Sequence, residues 1–295
     1  MKLRRQRRTS ASLASRWPGS GPAEPTHAER AWERTHKVAA RWAWAGLVLG
    51  GVAASVVFAP AAWLAQAVAA LTEQRLVLAD ARGTVWNGSA VPVLSGGADS
   101  HSAALLPGRA SWRLRLRGLG LELGLRQPCC IVDELVLWLR PGIGRIAVQL
   151  PAGHNPIGEW PAAVLAGLGA PWNTLQPEGT LRLSSPGLSL DLASGRWRLS
   201  GQADLELADI GSKLTTLDRL GSYRLHIDGA DAQGPRLSLS TLDGALQLQG
   251  QGQWTGTQLR FRGEAHAAPG FDGALDNLLN ILGRRQGARS IISIG

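Results

Sequence analysis

The sequence predicts a mainly β protein: a single N-terminal transmembrane helix followed by a periplasmic antiparallel β-sheet domain with one or two short helices. Three observations predict it. A long uncharged segment lies near the N-terminus, leucines recur with a two-residue period over most of the remaining chain, and Gly- and Pro-bearing breaks separate the runs at hairpin distances.

The first element is basic. Residues 1–41 hold ten Lys or Arg against three Glu, so the tail carries +7 of the chain's net +9. The rest of the chain is nearly neutral, which argues against nucleic acid as a partner, because a binding domain carries its charge on its folded part. Residues 17–28 (WPGSGPAEPTHA) read as a flexible linker within this tail.

No charged residue occurs from Trp42 to Thr72, and the stretch reads WAWAGLVLGGVAASVVFAPAAWLA at its core. About 20 apolar residues at ~1.5 Å each cross a ~30 Å hydrocarbon layer, so a transmembrane helix is predicted over 42–64. Trp42, Trp44 and Trp63 flank it, where indole rings favour the headgroup level. The apolar run is longer than the ~7–15 residues of a signal peptide and begins far from the N-terminus, so an uncleaved anchor is expected. The positive-inside rule then puts residues 1–41 in the cytoplasm and residues 73–295 in the periplasm, with inner-membrane lipid around the span. Gly46, Gly50 and Ala54 form a small-residue stripe on one face, a candidate for helix packing.

Beyond Glu73 the texture turns to alternation. Trp112, Leu114 and Leu116 alternate with arginines, and the rhythm continues through Leu119, Leu121, Leu123 and Leu125. It returns at Leu188, Leu190 and Leu192, at Tyr223, Leu225 and Ile227, and at Leu246 with Leu248. Such patterning marks half-buried antiparallel strands. Breaks at Gly96-Gly97, Pro141-Gly142, Pro186-Gly187 and Asp243-Gly244 divide them into a meander. Two segments depart from the rhythm. Glu159 to Leu168 reads as a short helix opened by Trp160 and Pro161, and Phe271, Leu275, Leu278, Leu279 and Leu282 recur at helical spacing before a stop at Gly283.

The residues offer no catalytic constellation. The six histidines are scattered without a metal-spacing partner, and neither a nucleophile elbow nor a phosphate-binding Gly-Lys loop occurs. No catalytic, cofactor-binding or metal residue is assigned, no cofactor is expected, and neither a small-molecule substrate nor a reaction is implied. Adjacent Cys129 and Cys130 allow two readings: a vicinal disulfide in an oxidising compartment, or two partly buried thiols at a strand start.

Several motifs, in order, resemble the type II secretion system protein N (general secretion pathway protein N) family. They begin with Gly83-Thr84-Val85-Trp86-Asn87-Gly88 and the tryptophan strand Ser111-Trp112-Arg113-Leu114. Pro171-Trp172-Asn173 follows, then Leu220-Gly221-Ser222-Tyr223, Thr241-Leu242-Asp243-Gly244, Gly250-Gln251-Gly252, and a run from Asn277 through Arg284 to Arg285. The resemblance implies a non-enzymatic inner-membrane component of the machinery that exports folded proteins from the periplasm, with other secretion subunits as partners. Within the motifs, Gly83 and Gly88 are expected at tight turns and Trp86 in the core. Anchored periplasmic sheets also look like envelope proteins of the AsmA type, on which likeness the leucine face would carry lipid. The short chain argues against such a bridge, since strands stacked at ~4.8 Å would have to be far more numerous.

Overall fold

The computed structural model describes residues 27–152, 156–193, 196–230, 234–255 and 258–295, with side chains described from residue 41 and not at 196–197. The expected basic tail and linker lie, up to residue 26, outside the described residues. The chain divides into two units, Met1–Ser55 and Val56–Gly295.

Helix α1 covers His27–Val57 and α2 covers Ala61–Leu71. The uncharged run expected as one helix over 42–64 is therefore divided at Phe58–Pro60. Pro60 is the cause: it has no N–H to donate, disfavours helical geometry at the preceding residue, and itself stands extended at φ −68° and ψ 147° as the N-cap of α2. Among the described residues, no helix is long and apolar enough to cross a membrane.

The rest is β. Strands β1 (Leu76–Gly83), β2 (Asn87–Ser95), β3 (Ala103–Leu105) and β4 (Ala110–Arg117) open the sheet. They lead into β5 (Gly120–Arg126), β6 (Leu135–Gly142), β7 (Arg145–Leu150) and β8 (Gly158–Pro161). Two long strands follow, β9 (Pro177–Ala193) and β10 (Arg196–Ser212), then β11 (Gly221–Asp228) and β12 (Arg236–Gly244). The last four are β13 (Leu246–Trp254), β14 (Leu259–Ala267), β15 (Arg284–Gln286) and β16 (Arg289–Ile294). All belong to one sheet in the order β1-β2-β4-β5-β6-β7-β9-β10-β11-β12-β13-β14-β16-β15, with β3 on β2 and β8 on β9. Every pairing is antiparallel, as the alternation predicts.

Register puts the leucines on one face. Leu116 faces Leu121, Leu121 faces Leu139, Leu139 faces Val148, and Val148 faces Leu190, which faces Leu199. That face curls inward. The 3-10 segment Ala162–Leu168 packs against β2, β3 and β9 at once, although β2 and β9 lie five strand steps apart. A flat sheet would separate them by about 24 Å, more than twice the width of a helix.

The main core fills one end of the curl. Val164 and Leu175 meet Leu181, Ile210, Leu220, Tyr223 and Leu246, and helix α4 (Asp272–Leu282) contributes the fully buried Leu275, Leu278 and Leu279. α4 matches the predicted second helix. Gly283 stops it by close approach to β16, not by left-handed geometry: its φ of −177° is extended, and a Cβ there would strike the Ile291 carbonyl. The first predicted helix is corrected. Gly158–Pro161 forms β8 and only Ala162–Leu168 is helical, as a 3-10 turn, because β9 is long enough to offer its lower half to a second partner. Glu159 and Arg182 seal that pairing at 2.7 Å.

Candidate functional site

The six residues Gly83–Gly88 connect β1 to β2 and grip the break between α1 and α2. A helix ends with unpaired carbonyls, which must find donors. The Trp86 indole Nε1 donates to the Val56 carbonyl at 2.8 Å, and the Val85 amide donates to the Ala59 carbonyl at 2.9 Å. Thr84 forms an antiparallel bridge with Pro60. The turn is closed internally by the Thr84 amide donating to the Asn87 carbonyl at 3.0 Å and by the Asn87 amide donating to Thr84 Oγ1 at 3.1 Å.

Both glycines are required there. Gly83 stands at φ +88°, a region costly for any residue with a Cβ. At Gly88 a Cβ would lie 2.5 Å from the Trp112 ring and 2.8 Å from the Arg82 and Thr84 carbonyls. The Trp112 indole Nε1 donates to the Val85 carbonyl at 3.0 Å, and the Leu114 amide donates to the Trp86 carbonyl at 2.7 Å. The two tryptophan motifs thus form one structure.

One expectation is corrected here. Trp86 is half-buried, whereas Trp112 is the core ring at 4% exposure, packed with Ala61, Ala90, Leu78 and Leu123. The reason is that the Trp86 indole is drawn sideways to cap the helix end. Alternation on β4 marks Trp112 as inward-facing, so that signal was in the sequence. Sequence reasoning missed the buttress beside the turn. Arg109 is ion-paired to Asp80 and donates from Nη1 to the Asp80 carbonyl at 2.9 Å. Arg82, then Arg109, hold the Asp80 carboxyl below the usual carboxylate range.

The other motifs meet elsewhere, around the main core. Gly221 pairs with Gly244, and a Cβ on either would strike the backbone of the other strand. Asp243 accepts from Arg219 Nη2 at 2.8 Å and from the Ser222 amide at 3.2 Å, and Arg219 also reaches Asp209 at 2.6 Å. Arg219 keeps the Asp243 carboxyl low. The Tyr223 hydroxyl donates to the Leu246 carbonyl at 3.0 Å, and burial pushes its ionisation up. Pro171, Trp172 and Asn173 sit at the start of the four-residue turn α3 (Trp172–Leu175). Asn173 Nδ2 donates to Ser102 Oγ at 3.2 Å, and Ser212 Oγ donates to the Leu175 carbonyl at 2.5 Å. The Phe261 ring lies over Gly250 and Gly252. Arg284 is exposed on β15, while Arg285 pairs with Asp276 at 2.7 Å.

Cys129 and Cys130 lie in the loop between β5 and β6 with their sulfurs 2.15 Å apart. Gly46 and Gly50 have open space where a Cβ would stand. Among the described residues, no three His, Cys, Asp or Glu side chains converge as metal ligands would.

The motif-bearing sheet coincides with a family match: residues 74–292 fit the family described as type II secretion system (T2SS), protein N. The chain belongs to this family. No curated protein and no solved structure matches the chain. Protein N is a component of type II secretion, and the family's matched region runs from before β1 into β16 and takes in both motif clusters. In this chain the motifs hold backbone together: one cluster fastens the α1–α2 junction to the sheet, and the other closes the core under α4.

Proposed function

We propose that the chain is a single-pass inner-membrane component of the type II secretion system that acts by binding other secretion subunits and performs no chemistry. Its N-terminus is cytoplasmic and its sheet periplasmic on this reading. The observation that carries it is the attachment of the Gly83–Gly88 signature to the C-terminal end of α1 and the break after it, through Trp86 to Val56 and Val85 to Ala59. A family signature that caps a helix end suits a protein whose sheet works at a fixed place beside a membrane. The basic tail and the uncharged residues 42–57 of α1 support the anchor. Family membership supports secretion subunits as the partners and lends nothing to a lipid conduit. Gly46, Gly50 and Ala54 offer the anchor a face for another membrane helix.

Deletion of the gene tests the function. Exoproteins should accumulate, folded, in the periplasm at least in part, with outer-membrane lipid balance unchanged, and crosslinks from the sheet should capture secretion subunits. Normal secretion in a detergent-sensitive strain would transfer the case to the lipid-handling reading. For topology, alkaline phosphatase fused after residue 100 should be active and fused at residue 35 inactive; the reverse would remove the anchor.

A further inference from the structure

Strand direction sorts the loops of the sheet into two ends. The 3-10 segment, α3 and α4 all lie at the end where β4 begins and β5 finishes. The hairpin turns between β4 and β5 and between β6 and β7 project from the opposite end, on neighbouring strands. The register across β5 and β6 sets these two tips about 10 Å apart across the sheet and about 7 Å apart along the strands.

Both tips end in a bare apolar side chain. Leu119 is 99% exposed and Ile143 is fully exposed, and Leu116 on the approach is 78% exposed. Single exposed leucines are ordinary on protein surfaces. Here two turns at one end carry them, each ringed by arginine: Arg115 and Arg117 on β4, Arg140 and Arg145 on β6 and β7. Glu122 pairs with Arg117 at 2.5 Å and Asp191 with Arg145 at 3.5 Å. Arg115 and Arg140 make no ion pair among the described residues. Apolar tips beside cationic side chains suit a lipid interface, where the apolar group enters the acyl boundary and guanidinium groups stay among phosphates.

The break between α1 and α2 is held at the same end. Trp86, which holds the Val56 carbonyl, is itself bonded to the Leu114 amide, four residues along β4 from the Gly118 turn. Leu114 is level with Leu137 on β6, so at ~3.3 Å per residue the Leu119 tip projects about 13 Å and the Ile143 tip about 20 Å beyond that clamp. We propose that the Leu119 and Ile143 tips rest on the anionic surface of the bilayer holding the anchor, so that the sheet touches the membrane at a second place. This rests on the anchor reading above.

The test places a photoreactive benzoylphenylalanine at Leu119, at Ile143, or at Ala288 in the exposed turn of the opposite end. The full chain is reconstituted in bilayers of phosphatidylethanolamine and phosphatidylglycerol. Lipid adducts are expected at 119 and 143 and not at 288, falling about fivefold for each of Arg115→Gln and Arg140→Gln. Absence of adducts at 119 and 143, in a chain that resists carbonate extraction, overturns the tip contact and leaves the anchor standing. Adducts at these positions in a chain that carbonate releases uphold the tip contact and overturn the anchor. Equal labelling at 288 overturns the tip contact.

Discussion

Replacing Trp112 by Ala probes the clamp most directly. The ring is buried against Ala61, Ala90, Leu78, Leu123 and Leu125, and its Nε1 is the donor to the Val85 carbonyl. Removing a buried Trp side chain costs about 3–5 kcal/mol. Trp112→Phe keeps most of the apolar contact and should lose about 1–2 kcal/mol, chiefly the hydrogen bond. Trp86→Ala removes a half-buried ring and one bond to Val56, so a loss of about 1–2 kcal/mol is expected. Urea titration of the full chain in mild detergent, followed by far-ultraviolet circular dichroism, reads these values. With a slope of about 1–3 kcal/mol per M, Trp112→Ala should lower the midpoint by at least ~1 M. A Trp112→Ala midpoint unchanged from wild type, or one less affected than that of Trp86→Ala, would refute the assignment of core and cap.

Gly244→Ala sets a Cβ against the Gly221 backbone at a φ of +126°, and should destabilise by about 2–4 kcal/mol in the same titration. Asp243 has a carboxyl lowered from its ordinary 3.8 by Arg219, so its contribution to stability is present above that value and fades as pH falls through the folded one. Asp243→Asn should therefore be less stable than wild type near neutral pH, and the two should converge in acid. A gap independent of pH would contradict the pair. Tyr223 is raised from 10.0 by burial, so its contribution holds below that pH and is lost as pH rises past it. Tyr223→Phe should flatten the alkaline part of the stability curve, read by circular dichroism. Replacing Gly46 and Gly50 together by Leu should weaken self- or partner-association of the anchor in a membrane two-hybrid assay and leave the sheet's circular dichroism unaltered.

The antiparallel sheet and α4 were legible in the chain because their signals are local. A strand with one apolar face shows a two-residue period wherever it occurs, and Leu275, Leu278, Leu279 and Leu282 mark a helical stripe without reference to neighbours. The family motifs, too, stood in order along the sequence. Their purpose did not. Which tryptophan is core and which is cap depends on where an orphan carbonyl of α1 falls, thirty residues from Trp86. The break at Pro60 was visible, but that the sheet would catch the broken end was not. Likewise β8 reads as the start of a helix until β9 offers a free edge, since a four-residue segment has too little propensity of its own to choose. The curl of the leucine face, the pairing of Gly221 with Gly244 and the common end of the Leu119 and Ile143 turns all join residues far apart in the chain. Local patterns specify the elements because each residue answers to its nearest neighbours along the backbone. Which elements meet is set by packing and register between distant strands, and no window of sequence contains both partners.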